Sequence, residues 1–207
     1  MHIFLPKDTS EFPGVDSADD DGLLAVGSNL ATNTLLKAYH RGIFPWFNEG
    51  ELVYWYSPDP RFVLFPQNLK ISHSMRNVLN KNIFSFRVDN DFKCVIRSCR
   101  TAKRKGDPGS WISDEFEKAY TNLFELGFAH SAEAWQNNIL VGGLYGIRLG
   151  DVFFGESMFS NVPNASKFAF IKYVERLKEE NVRLIDCQVY TQHLESLGAR
   201  MITRKSF

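Results

Sequence analysis

Glu156, Asp186 and Gln188 are the polar side chains set into otherwise apolar, strand-like stretches of this 207-residue chain. Glu156 sits in Phe153-Phe-Gly-Glu-Ser-Met-Phe-Ser160. A carboxylate in such a run is paired, hydrogen-bonded or functional, because burying a lone charge is expensive. The alternative is a glutamate on the wet face of an edge strand. Asp186 and Gln188 stand two apart in a buried-strand pattern over 182–189, so they are expected to share one face. Such a pair either relays a proton, the carboxylate making the amide oxygen a better acceptor, or ties two strands together through hydrogen bonds.

Other chemistries lack their residues. The sequence has no GxSxG, P-loop, HExxH or dinucleotide-binding glycine pattern. Its three cysteines, Cys94, Cys99 and Cys187, have no CxxC or metal-ligand spacing. With no signal peptide visible, they read as free thiols in a reducing cytoplasm. No apolar run approaches the ~18 residues of a membrane helix. Net charge is zero but segregated: residues 1–59 hold three Lys/Arg against nine Asp/Glu, and residues 70–105 hold ten Lys/Arg against two acids. The basic block is either an anion site, nucleic-acid phosphate being one candidate, or a solvated face.

The elements that must position these groups follow from periodicity. Residues 1–30 are loop-rich. A helix over 32–41 is expected, capped by Thr32 and stopped by Gly42. Six aromatics and three prolines crowd Gly42-Ile-Phe-Pro-Trp-Phe47 and Tyr54-Trp-Tyr-Ser-Pro-Asp-Pro-Arg61, as a small aromatic core or as a stacking platform. A strand at 62–65, a helix capped by Ser72, a strand at 84–88 and a helix capped by Asp89 or Asn90 come next. A basic turn-rich loop over 101–110 precedes a helix bearing Phe116, Tyr120 and Leu123. Strands at 129–135, 139–148 and 152–159 then form a meander, turning at Gln136-Asn-Asn138. A helix over about 165–180, with Asn164 as side-chain cap and Phe170, Ile171, Val174 and Leu177 inward, leads to the strand at 182–189. A short helix at 191–197 and a last strand over 199–207 complete an α+β layout.

Eight motifs in order are specific enough to carry a resemblance. They are Gly22-Leu-Leu-Ala-Val-Gly27, Arg41-Gly-Ile-Phe-Pro-Trp-Phe47, Trp55-Tyr-Ser-Pro-Asp-Pro-Arg61, Ser110-Trp-Ile112, Leu140-Val-Gly-Gly-Leu-Tyr-Gly146, Phe154-Gly-Glu-Ser-Met-Phe-Ser160, Asn164-Ala-Ser-Lys167 and Leu184-Ile-Asp-Cys-Gln188. On these the chain resembles the leucyl/phenylalanyl-tRNA–protein transferases. The resemblance implies a small N-terminal domain over 1–61 and an acetyltransferase-like N-acyltransferase domain over 62–207. It implies transfer of Leu or Phe, less well Met, from aminoacyl-tRNA to proteins that begin with Arg or Lys, marking them for degradation.

The donor is already an activated ester, so no cofactor and no metal is expected. The resemblance implies that Asp186 and Gln188 relay the amine proton and that Glu156, with Ser157 next to it, lies beside the donor's terminal adenosine. Trp46 and Trp111 are expected to line the donor site. Leu144, Phe153, Phe170 and Ile185 are the candidates for an apolar aminoacyl pocket, and Arg76, Lys81 and Arg87 for the tRNA backbone. Glu156 and Asp186 also suit a cationic acceptor side chain.

Overall fold

The computed structural model describes residues 3–102 and 111–207, so most of the expected basic loop at 101–110 lies outside the described residues. The first part of the chain builds strands β1 (Ile3–Leu5), β2 (Leu23–Gly27), β3 (Phe44–Pro45) and β4 (Tyr54–Tyr56), with helix α1 (Thr32–His40) between β2 and β3. They form a sheet in the order β1-β2-β4-β3. The strand at Ile3–Leu5, expected as loop, pairs in parallel with β2.

The remaining strands are β5 (Arg61–Leu64), β6 (Ser85–Val88), β7 (Ala129–Gln136), β8 (Ile139–Leu149), β9 (Val152–Ser160), β10 (Leu184–Gln188) and β11 (Arg200–Ile202). Their sheet runs β11-β5-β10-β9-β8-β7-β6. Helices α2 (His73–Asn80), α3 (Phe92–Thr101), α4 (Asp114–Glu125), α5 (Ala165–Glu179) and α6 (Gln192–Ser196) flank it, an α+β architecture as expected. A division at 61/62 would fall one residue inside β5.

The meander is local chemistry. Asn137 and Asn138 both take positive φ, 51° and 61°, the conformation a two-residue hairpin turn requires. Strands β9 and β10 are parallel, and α5 supplies the crossover that parallel strands need. The four inward residues expected on α5 are all buried. The helix sits close on β8 because position 142 is glycine. A Cβ there would meet Ala165 Cβ at 2.6 Å.

Each face of the large sheet has its own core. Helix α5 covers one, with Phe153, Ile171 and Val174 among the buried residues. Helices α1, α3 and α4 and the small sheet cover the other, where Leu35, Tyr39, Trp55, Phe116, Tyr120 and Phe154 join one apolar cluster. The aromatic segment therefore divides: Trp55 is fully buried and its indole N–H donates to Gly27 O at 2.9 Å, whereas Trp46 stays 45% exposed.

Four local expectations change. Thr32 is the first residue of α1 rather than its cap; Ala31 holds the cap position, with no side-chain cap bond. Asn164 stands at the cap position of α5 but adopts φ 69° and makes no side-chain cap bond; Ser160 Oγ accepts from Ser166 N instead. Asp91, not Asp89 or Asn90, caps α3, because Asp89 is engaged by His130 and the Ser131 amide. The last strand stops at Ile202. The chain then turns through Arg204–Ser206, with Arg204 bonded to Ser57 O and Asp59.

Candidate active site

Pairing between β9 and β10 runs from Leu184↔Val152 to Asp186↔Phe154 and goes no further. Beyond that rung β9 stays with β8 and β10 stays with β5. A cavity of about 840 Å³ opens where the two strands part, lined by Gly155–Met158 on one side and Cys187–Val189 on the other. The small sheet closes it from above through Trp46, Tyr54 and Tyr56. Glu156, Asp186 and Gln188 all lie at this opening.

Glu156 is at its centre. Oε1 accepts from Tyr39 Oη at 2.7 Å and from Gln188 Nε2 at 2.9 Å, and Oε2 accepts from Tyr120 Oη at 3.3 Å. The two tyrosine hydroxyls are also bonded to each other. Burial pushes the Glu156 carboxyl up to about 7, and the Asp186 charge adds to the rise; the bonds from Tyr39, Gln188 and Tyr120 oppose it. Burial and the Glu156 charge hold both tyrosine hydroxyls well above their usual range. Glu156 is thus a carboxyl poised to exchange a proton near neutral pH.

Asp186 is in a different state. It is fully buried, and Arg61 holds both of its oxygens, Nε to Oδ1 at 2.8 Å and Nη2 to Oδ2 at 2.6 Å. The guanidinium is itself packed between the rings of Phe44 and Phe207, 4.7 and 4.9 Å from their centroids. Strand β10 shifts register between Asp186 and Gln188, and Gln188 takes φ 62°. The simple alternation that would give the two side chains one face is broken there. Asp186 Oδ1 accepts from the Gln188 backbone N–H at 2.9 Å, while the Gln188 side chain turns to Glu156. The expected polarisation of the Gln188 amide by Asp186 is replaced by a main-chain contact.

Leu144, Phe170 and Ile185 line the cavity and are almost completely buried; Trp46, Trp111 and Ser157 also line it. Phe153 does not. It is 1% exposed and packs edge-on against Tyr173 beneath α5, because its position on β9 faces the α5 side. Arg76 on α2, Lys81 at its end and Arg87 on β6 lie outside the cavity; Arg87 stacks over the Trp135 ring at 4.6 Å. Among the described residues no group of three His, Cys, Asp or Glu is placed to hold a metal ion. No disulfide joins Cys94, Cys99 and Cys187.

Sequence reading missed Arg61, Tyr39 and Tyr120. A cation heading the apolar Arg-Phe-Val-Leu strand was the same signal that exposed Glu156. The tyrosines carried none, since each fits the apolar face of its helix. Glu133, also missed and fully buried, accepts from the amides of Asn90 and Asp91, from Ser131 Oγ and from Trp135 Nε1, and so ties the start of α3 to β7.

A largely apolar cleft with a near-neutral carboxyl in its wall suits transfer of an apolar acyl group to an amine. Family comparison gives that class its particular form. The family model for leucyl/phenylalanyl-tRNA protein transferase matches residues 63–207, and the model for its N-terminal domain matches residues 28–59. Relatives described as leucyl/phenylalanyl-tRNA–protein transferase include one from Christiangramia forsetii, 53% identical over all of this chain and 98% of that protein. Another, from Flavobacterium johnsoniae, is 56% identical over 95% of this chain and 92% of its own length. One from Pseudomonas fluorescens is 48% identical over the whole of this chain and 92% of its own length. The chain belongs to the leucyl/phenylalanyl-tRNA–protein transferase family. It is an aminoacyltransferase, moving an aminoacyl group from tRNA to protein. A GCN5-related N-acetyltransferase from Kribbella flavida superposes with a TM-score of 0.44 at 8% identity, over 81% of this chain and 60% of that one, too remote a likeness to carry an assignment.

Proposed function

We propose that the enzyme transfers Leu or Phe, and less well Met, from the 3′ end of its tRNA to the α-amine of proteins that begin with Arg or Lys, marking them for degradation in the cytoplasm. The aminoacyl side chain enters the apolar wall of Leu144, Phe170 and Ile185. Trp46, Trp111 and Ser157 border the donor adenosine. The amine attacks the ester carbonyl, a C–N bond forms, and the C–O bond to the ribose 3′-oxygen breaks. The amine proton passes to Glu156 and from there to the departing 3′-oxygen. Gln188 holds Glu156 and the amine in line, and Asp186 with Arg61 fixes the backbone that carries Gln188. Arg76, Lys81 and Arg87 contact the tRNA backbone beyond the cleft. No cofactor or metal enters this scheme, because the ester is already activated.

The observation that carries the reading is Glu156, a carboxyl near neutrality in the wall of a largely apolar cavity, bonded to Gln188 and two tyrosines. Incubating the protein with radiolabelled Phe-tRNA and an Arg-starting peptide tests it. Label should move to the peptide N-terminus, and transfer should fall by about 10²-fold or more in Glu156→Ala. Equal transfer from Asp-tRNA and Leu-tRNA would refute the apolar pocket.

A further inference from the structure

Three carboxylates line the cavity: Glu51, Glu156 and Asp186. No Lys or Arg is among the described residues that line it. An acceptor that begins with Arg or Lys brings a cation into this space. Asp186 is already committed to Arg61, which holds both of its oxygens. Glu156 is held by two tyrosines and Gln188 and is occupied with the proton. Glu51 remains.

Its setting suits a cation. Glu51 is exposed, and no Lys or Arg among the described residues pairs with it. Its turn is fixed: Glu51 N donates to Asn48 O at 3.1 Å, and Oε2 accepts from Asn48 N at 3.0 Å and Asn48 Nδ2 at 3.2 Å. Oε1 takes part in neither side-chain bond. Two half-buried aromatic rings, Tyr54 and Tyr56, share the same wall, and ring faces attract cations. Trp46 braces Tyr56 with ring centroids 5.8 Å apart. Burial, and then the nearby Asp19, Tyr54, Asp21 and Glu51, raise the Tyr56 hydroxyl above its usual range, so this corner carries a negative field.

We propose that Glu51, with the faces of Tyr54 and Tyr56, receives the cationic side chain of the acceptor's first residue and sets the preference for Arg or Lys. This rests on the acceptor reading given above. It places the acceptor side chain against the small sheet and the donor side chain against the large one, with the α-amine between them at Glu156.

The experiment compares two peptides identical but for their first residue, Arg in one and citrulline in the other, which keeps the shape and removes the charge. Phe-tRNA is the donor. For the wild-type enzyme, KM should be about tenfold lower for the Arg peptide. Glu51→Gln should abolish that difference while leaving KM for Phe-tRNA unchanged, and Glu51→Asp should retain most of it. If Glu51→Gln keeps the Arg-to-citrulline ratio of wild type, Glu51 is not the site, although the acceptor reading stands. If the wild-type enzyme itself treats the two peptides alike, both the acceptor reading and the site fall.

Discussion

Arg61 and Asp186, 125 positions apart in the chain, close on each other through two parallel hydrogen bonds in the dry interior. Removing one partner strands a buried charge. Arg61→Met is therefore expected to cost about 3–5 kcal/mol in urea unfolding. The Arg61→Met, Asp186→Leu double variant should recover most of that loss, because apolar replacement of a whole buried pair is often close to neutral. A single variant within about 1 kcal/mol of wild type would contradict this.

Asp186→Asn separates structure from chemistry. Asp186 reaches Gln188 only through the backbone amide. The folded fraction of Asp186→Asn should keep kcat within about tenfold of wild type, with the main loss in melting temperature. A loss near 10³-fold at unchanged melting temperature would restore the proton relay through Gln188.

In its proposed role Glu156 is expected to make both activity and stability depend on pH. As a base it must be ionised, so kcat/KM for peptide should rise with pH through about 7. The acceptor α-amine, near 7.7–8.0, adds its own limb, and Glu156→Gln should leave only that one. The stability effect has the opposite direction. The folded carboxyl sits at about 7 and its ordinary value is 4.5, so between these values the folded protein binds the extra proton. Its contribution to stability is full below pH 4.5 and is lost as pH rises towards 7, by roughly 3 kcal/mol in all. Glu156→Gln should thus gain on wild type in melting temperature between pH 5 and pH 8. A constant difference across that range would contradict the raised carboxyl.

The tyrosine hydroxyls oppose that rise by donating to the carboxylate. Tyr39→Phe removes the 2.7 Å donor while keeping the ring packed on Phe154. The limb assigned to Glu156 should move to higher pH, with KM for both substrates little changed. A limb that stays in place would mean the hydroxyl has no hold on Glu156.

In the proposed scheme the basic residues outside the cavity hold the body of the donor, so their effect is expected to depend on salt. Changing Arg76, Lys81 and Arg87 together to Ala should raise KM for charged tRNA more than it lowers kcat, and should flatten the salt dependence. A minimal aminoacyl-adenosine donor should not respond. If it suffers as much as full tRNA, these residues do not hold the tRNA body.

The sequence by itself determined the elements and most of the chemistry-bearing positions. Asn137 and Asn138 fixed the hairpin, the apolar spacing on α5 fixed its buried face, and Glu156 stood out because an apolar strand around a carboxylate is a local signal. The motifs, read in order, were enough to give the family. Only the tertiary structure decided which residues share a proton and which share a charge. Tyr39 and Tyr120 come from helices in different parts of the chain, and each reads as one more apolar position until folding brings both hydroxyls onto Glu156. Phe153 and Phe154 are chemically alike, yet the pleat of β9 sends them to opposite cores. The register shift before Gln188 turned an expected shared face into two separate duties, since a break in alternation arises from pairing with β5 rather than from the residues themselves. Arg61 completes the division, because a buried charge is settled by whichever partner the fold delivers, and that partner lies far along the chain.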